Sequence, residues 1–475
     1  MKKKLFPIFA ILLLLTGCGD FLEETSQDEI RPTSTEDIAS VLYSSAYPYL
    51  FSSDGYLILL TDEVENHPYS LASYEDRMAK GKPVYCFSKT MFDGDESFIP
   101  DENSWKNYYT LIKGCNVVMD YIDEMKGKEE DRRFISGQAR ALRAYYYLRL
   151  LMIYCLPYDE SIADSELGLS HITSSHVSDN YPSRETLRTT YDFVESELKQ
   201  ASQELDGFVP TTIYRITKPA VDVLLSRLYL YEKKWDKVIE YASTAIANGP
   251  KLTDFKTLGS LGVYDVNTTT EVIWNYTGAA RTSDYIQSTN MVSGGYLPYN
   301  LSASVMNMYE AGDMRNCTTP VYSKKYVGGY ASGGFYVQKI LSYSSQNGEN
   351  GVRMSEAYLN RAEAYAQKGD NANALADLNH LRENRYAAVS YQPLNITNNE
   401  ELKMFVRDER QRELVWEGGF RWMDIKRYGL SVTHVFTDED GSQTTYTLQA
   451  GDPLYALPIP HDAISKNPNL KQNKR

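Results

Sequence analysis

The stretch "RDERQRELVWEGGFRWMDIKRYG", Arg407 to Gly429, opens with six charged residues in seven and closes with aromatics and bases between glycines. Asp408 stands four residues before Arg412, while Glu409–Arg412 and Arg410–Glu413 stand three apart. At those spacings, side chains meet on a helix surface. Leu402, Phe405, Val406 and Leu414 supply an apolar side. Gly418 and Gly419 stop the helix and turn the chain. Phe420, Trp422, Met423, Ile425 and Tyr428 then begin a short second amphipathic helix that ends at Gly429. The pattern predicts a helix, a turn and a helix held by charge pairs along their own surface. It reads as scaffold rather than as a catalytic centre.

Upstream, helical periodicity dominates. Residues 104–125 carry Trp105, Tyr108, Tyr109, Ile112, Asn116, Met119 and Ile122 at three- and four-residue steps, with Ser104 as the expected N-cap. A longer helix is expected over 131–155, where Gly137, Ala141 and Ala144 would let a neighbour approach and Pro157 forbids continuation. A third is expected over 183–205. Two later segments repeat one another. In 221–250, Ser226 is followed by Tyr229, Trp235, Ala242, Ala245 and Pro250; in 355–385, Ala362 is followed by Tyr365, Gly369, Ala374 and Leu378. Both resemble the tetratricopeptide helix–turn–helix unit, and about four such pairs are expected, stacking into one shared core. The fold expected is therefore mostly α. Helix pairs within 104–250 and 353–386 form a superhelical scaffold, and the loop-rich segments 62–103 and 254–350 pack against it. Short strands are expected at "EVIWNY" (271–276), "GFYVQKIL" (334–341) and a hairpin over 433–448 that turns at Asp440-Gly441.

The N-terminus speaks to compartment. "MKKK", the apolar run "LFPIFAILLLL" and "LTGC" ending at Cys18 read as a signal segment over 1–17. The run is too short to cross roughly 30 Å of hydrocarbon. "LTGC" resembles the bacterial lipobox, which makes Cys18 the expected lipidation site, and Asp20, Glu23 and Glu24 resemble an acidic surface-export tag. The formal net charge of −14 becomes −17 when Lys2, Lys3 and Lys4 are removed with the signal. So acidic a chain is unsuited to phosphate backbones, and no nucleic-acid partner is expected. Cys86, Cys115, Cys155 and Cys317 are too widely spaced to indicate a disulfide framework.

No catalytic motif stands out among the six histidines, and no nucleophile elbow, phosphate loop or dinucleotide fingerprint is present. His171 and His176, five apart, are the nearest approach to a metal pair. The acidic run 93–102 lacks the spacing of a calcium loop. No cofactor is therefore expected, and a structural calcium at that run is not predicted. Tyrosine is the abundant aromatic, with 39 copies against 5 tryptophans and 15 phenylalanines. Its apolar ring and hydrogen-bonding tip suit recognition of polar molecules that have an apolar face.

The opening stretch also carries a family resemblance. With "LLTDEVEN" (59–66), "WKNYYTLIKGCN" (105–116), "ISGQARALRAYYYLRLLMIYCLPY" (135–158) and the closing "LPIPHDAISKNPNLKQN" (457–473), it resembles the SusD/RagB family of outer-membrane glycan-binding lipoproteins from end to end. The resemblance implies a single SusD-like domain over 18–475, with its signature in 399–475. It also implies lipid-anchored display on the cell surface and a SusC-like TonB-dependent transporter as partner, with no enzymatic activity. Peptide capture is the alternative within the family. A surface glycoside hydrolase and a pure assembly scaffold are further alternatives. The family's ligand site lies in variable loops, so site residues must be chosen by chemistry. Sugar rings stack on Trp or Tyr, and their hydroxyls bond to Asn, Asp, Arg or Gln. The richest cluster holds Trp274, Asn275, Tyr276, Arg281, Asp284, Tyr285, Gln287, Tyr296 and Tyr299; a second holds Asn66, Tyr69, Tyr74, Asp76 and Arg77. Trp274 stands in a strand-like hexamer where core and ring platform are equally expected. Trp105, Trp235, Trp416 and Trp422 are expected in the scaffold.

Overall fold

The computed structural model describes residues 32–48, 54–67, 75–93, 103–177, 180–258, 263–264, 270–276, 298–316, 327–329, 335–337, 339 and 350–474. Its helices are α1 (Thr35–Val41), α2 (Glu75–Tyr85), α3 (Ser104–Tyr121), α4 (Glu129–Tyr154), α5 (Leu187–Glu204), α6 (Lys218–Tyr231) and α7 (Trp235–Asn248). After them come α8 (Ala303–Met306), α9 (Met354–Gln367), α10 (Asn371–Glu383), α11 (Asn399–Leu414), α12 (Phe420–Tyr428) and α13 (His461–Lys466). The strands are short: β1 (Val64–Asn66), β2 (Val272–Tyr276), β3 (Tyr299–Leu301), β4 (Val327–Gly329), β5 (Phe335–Val337), β6 (Asn350–Arg353), β7 (Val432–Thr437) and β8 (Gln443–Leu448). They pair as β1–β3, β2–β6, β4–β5 and β7–β8, all antiparallel. The fold is mostly helical with a few short strands, as the sequence implied. Among the described residues no helix is long and apolar enough to cross a membrane.

The helices form a continuous run of neighbours. α3 lies on α4, α4 on α5, α5 on α6, α6 on α7, α7 on α9 and α9 on α10, with α11 across α9. Small residues sit at the crossings. A Cβ on Gly137 would stand 2.9 Å from the Glu204 and Leu205 side chains, so the α4 backbone lies directly against the end of α5 there. Ala141, Ala144, Ala242, Ala245 and Ala362 are fully buried. Ser226 of α6 accepts from the Asn360 amide of α9 at 2.9 Å. α4 is the central column, buried almost throughout its C-terminal half from Ala141 to Tyr154. The N-cap of α3 is Asn103 rather than Ser104: its side chain accepts from the Lys106 amide at 2.9 Å. Ser104 is instead the first helical residue, and its hydroxyl bonds to Tyr56.

The two repeated units share one turn. In α6–α7 the chain reverses at Lys233, with φ +59°, and in α9–α10 at Gly369, with φ +79°. The Lys234 amide donates to Tyr229 at 2.9 Å, and the Asp370 amide donates to Tyr365 at the same distance. The hairpin β7–β8 turns where expected, with Gly441 at φ +81°.

Candidate functional site

The ends of the two tyrosine-rich segments meet on one short ladder. β1 and β3 pair Asn66 with Tyr299, and the His67 amide donates to Pro298 at 2.8 Å. The segment that leaves β1 after His67 and the segment that enters β3 at Pro298 therefore start side by side. The first returns as α2, which packs back on the same ladder. Tyr299 donates to the Met78 carbonyl at 2.9 Å, and a Cβ on Gly81 would stand 2.3 Å from the Tyr299 ring. Only a glycine lets α2 lie so close. The C-terminal hairpin braces the assembly from the other side. The Asn66 amide donates to Thr437 at 2.7 Å and accepts from it at 3.0 Å. The His434 ring is sandwiched between Tyr85, at 4.1 Å between centroids, and Phe87, at 4.8 Å. Both of its nitrogens face backbone carbonyls, those of Tyr85 and Thr61.

The structure corrects three of the expected site residues. Trp274, Tyr276 and Tyr299 are core residues, not ring platforms, at 0, 6 and 0% exposure. Trp274 packs edge-on to Tyr145 at 5.1 Å, and the hydroxyls of Tyr276 and Tyr145 share a hydrogen bond of 2.7 Å inside the protein. The cause is their place on strands buried on both faces, which removes the polar face that alternation would supply. Asn66 is also committed, to the hairpin, as above. Asn275 is fully buried beside Trp274, and its side-chain amide makes no hydrogen bond among the described residues. Arg77 and Asp76 lie on α2. Tyr69, Tyr74, Arg281, Asp284, Tyr285, Gln287, Tyr296 and Cys18 lie outside the described residues, as does the acidic run from residue 94 onward.

The opening stretch turns out to be the ionic centre of the protein. Glu413 receives Arg353 at 2.9 Å, Arg385 at 3.0 Å and Arg315 at 3.1 Å, all fully buried. Glu271 takes Arg385 at 2.8 Å and also Arg353. Glu417 takes Arg353 and Lys339, and Glu409 takes Arg315, Arg382 and Arg412. Arg410 reaches Asp424 at 3.0 Å, and Arg427 joins Asp424 to Glu363. Of the three local pairs expected, Glu409–Arg412 forms, at 2.9 Å. Arg410 and Glu413 bond elsewhere, because α11 is buried along the face that carries them and more distant partners converge there. Burial alone would raise the Glu409 pKa, but Arg315, Arg412 and Arg382 overrule it and hold the carboxyl at about 2. Glu413 is likewise held well below the usual range by Arg385 and Arg353 against its burial. Carboxylates so paired and so enclosed brace the fold. Arg315, Arg353, Arg385 and Glu271 could not be singled out in advance, since nothing in their local sequence points to partners so distant in the chain.

His171 stacks on Phe193 and contacts Thr190, while His176 is 4.0 Å from Asp120; they are occupied separately. Among the described residues no group of three His, Cys, Asp or Glu side chains is disposed to hold a metal. Cys86, Cys115 and Cys155 are free thiols, and Cys317 lies outside the described residues.

Two family models match the chain. Residues 272–475 match the model described as SusD family, which contains the whole charged stretch and its turn. Residues 20–230 match a SusD-like model described as starch-binding associating with outer membrane. The chain belongs to the SusD family. Among curated proteins it is similar to the SusD-like protein P25 of Formosa agariphila, 21% identical across 96% of this chain and 95% of that one. Its fold is that of a SusD-like carbohydrate binding protein from Bacteroides vulgatus, with TM-score 0.69 and 21% identity, covering 92% of this chain and 97% of the other. A SusD superfamily protein from Bacteroides thetaiotaomicron superposes with TM-score 0.70 and 22% identity, over 93% of this chain and 100% of that one. The outer membrane is thus the compartment with which the SusD-like model covering the N-terminal half is associated, and binding is what the relatives' names describe.

Proposed function

We propose that this SusD-family protein captures a glycan or oligosaccharide at the cell surface and passes it to a SusC-like TonB-dependent transporter. In this reading Cys18 carries the lipid that tethers the chain to the outer membrane. It acts by binding alone, as a single SusD-like unit without enzymatic activity or a cofactor. The observation that carries the reading is the common root of the two tyrosine-rich segments on the β1–β3 ladder, in a chain whose N-terminal half matches a starch-binding family model. Tyr285 and Tyr296 supply rings for sugar faces, with Tyr69 and Tyr74 from the neighbouring segment. Arg281, Asp284 and Arg77 supply partners for hydroxyls. Binding through rings and a polar rim requires no proton transfer, which agrees with the enclosed, ion-paired state of the signature carboxylates.

Calorimetric titration of the purified protein against a glycan panel and a peptide panel tests this. Binding to one glycan class, weakened at least about tenfold in a Tyr285→Ala/Tyr296→Ala double variant, is the expected result. Peptide binding without any glycan response would replace the proposal with peptide capture. Shortening of a glycan by the protein alone would replace it with hydrolysis.

A further inference from the structure

Glu63 stands where the start of β1 meets the turn after α11, and its surroundings are unusual for a carboxyl. It is 1% exposed. One oxygen accepts the Trp416 amide at 3.2 Å, and the other has no hydrogen-bond partner among the described residues. Its own carbonyl accepts the Ser302 amide at 2.9 Å, just after β3. Glu63 therefore touches both the signature turn, at Trp416, and the C-terminal end of β3, at Ser302. Trp416 itself holds φ at +55°, a backbone region costly for a tryptophan.

The charges around it are already engaged. Asp62 pairs with Arg421 at 2.6 Å, Lys339 pairs with Glu417, and the Glu65 carboxylate accepts the Ala303 amide at 3.2 Å. The Tyr309 phenol, which lies within electrostatic reach, donates to the Arg412 carbonyl at 2.8 Å. An ionised Glu63 would thus be a buried charge whose one hydrogen bond comes from a neutral amide, with Arg421 and Lys339 in electrostatic reach but committed to Asp62 and Glu417, whereas a protonated Glu63 is a neutral buried group.

We propose that Glu63 is a proton-operated joint between the signature turn and the β1–β3 ladder: it is closed when the carboxyl is protonated and loosened when it ionises. Burial pushes its pKa up to about 8, with Asp62 adding to the effect and Arg421, the Trp416 amide and Lys339 opposing it. The native protein holds this proton more tightly than the unfolded chain, whose glutamates titrate near 4.5. The contribution to stability is therefore intact below 4.5 and is lost progressively as pH rises toward 8, the reverse of an ion-paired acid.

Amide hydrogen exchange at Trp416 and Ser302 reads the joint directly. In the wild-type protein the opening equilibrium should rise by up to about tenfold per pH unit between about pH 5 and 8, beyond intrinsic exchange. In Glu63→Gln, which keeps the acceptor and cannot ionise, that slope should vanish. A wild-type protein without the slope, or a Gln variant that shares it, overturns the proposal. Should the variant fail to fold, a wild-type sample carrying carbon-13 in the glutamate carboxyls decides. One resonance, assigned by its proximity to the Trp416 amide, should titrate near 8; titration of that resonance below about 6 sinks the idea.

Discussion

Around the middle of α4 and α6, the buried positions are mostly apolar, Leu142, Ala144, Leu224 and Leu228 among them, with Arg143 and Arg227 each paired to one glutamate. At the same depth around α11 they are filled by Glu409, Arg410, Glu413 and the arginines that reach them. The first interior is non-directional, and each contact adds its share of apolar area. The second is conditional: an ion pair out of water is tolerable only while every partner is present and hydrogen-bonded. The comparison teaches that this scaffold is built by packing and then pinned by charge. The charge ties together segments that packing alone would leave free, namely the Glu271 end of β2, the Arg353 end of β6, residues 313–315 and Arg385.

The sharpest way to test the contrast is to remove one member from each interior. Glu413→Ala leaves three buried arginines facing one another, and a loss on the order of 3–5 kcal/mol or more is expected, with failure to fold as the extreme. Leu224→Ala leaves a cavity, and a loss of about 2–5 kcal/mol is expected, with the fold retained. Urea unfolding of both variants measures this. If Glu413→Ala proves the milder of the two, the charges are ornament and the comparison collapses.

Acid should separate the two interiors next. Glu409 is held at about 2 against an ordinary 4.5, so its contribution is fully present above 4.5 and is lost as pH falls toward 2. That is a contribution of about 3 kcal/mol from this group alone. Circular dichroism during acid titration should show unfolding that begins below about pH 4.5. Glu409→Gln should flatten the acid limb even as it lowers stability at neutral pH. A wild-type protein that keeps its stability down to pH 2 would mean that its arginines do not rely on this carboxylate.

The smallest expected effect concerns the backbone at the turns of the two helical hairpins. Gly369→Ala places a Cβ at φ +79° and should cost about 1 kcal/mol, although nothing stands within 4 Å of it. Lys233→Gly relieves the same conformation at φ +59° and should be close to neutral or stabilising by a few tenths of a kcal/mol. Thermal melts of the two variants that moved in the opposite sense would show that side-chain contacts, not backbone conformation, set these turns.

The helices, the hairpin over 433–448 and the repeated units were legible because each rests on a local period or a turn residue. α4, α6, α9 and α11 fall where the apolar spacing put them, and the charged stretch is scaffold as read. The candidate site was legible only in part. Tyrosine-rich segments marked which parts of the chain converge, and the β1–β3 ladder brings their ends together. Nothing local distinguished Trp274, Tyr276 and Tyr299, now in the core, from tyrosines in the loops beside them. An aromatic on a strand offers the same chemistry to a ligand and to a neighbouring helix, and only burial decides between them.

By itself, the amino-acid sequence determined the helical class, the paired units with their small residues at the crossings, the turn at Asp440-Gly441 and the membership in the SusD family. These depend on interactions within a few residues or on long patterns of identity. Only the tertiary structure decided which charges of Arg407–Gly429 pair with one another and which reach Arg315, Arg353 and Arg385 instead. It also decided that Glu63 is closed off beside Trp416 while Asp62 next to it keeps its arginine. The reason is physical: the strength of a charge pair and the proton affinity of a carboxyl are set by distance and by the exclusion of water. Both quantities come into being only when segments hundreds of residues apart are brought together.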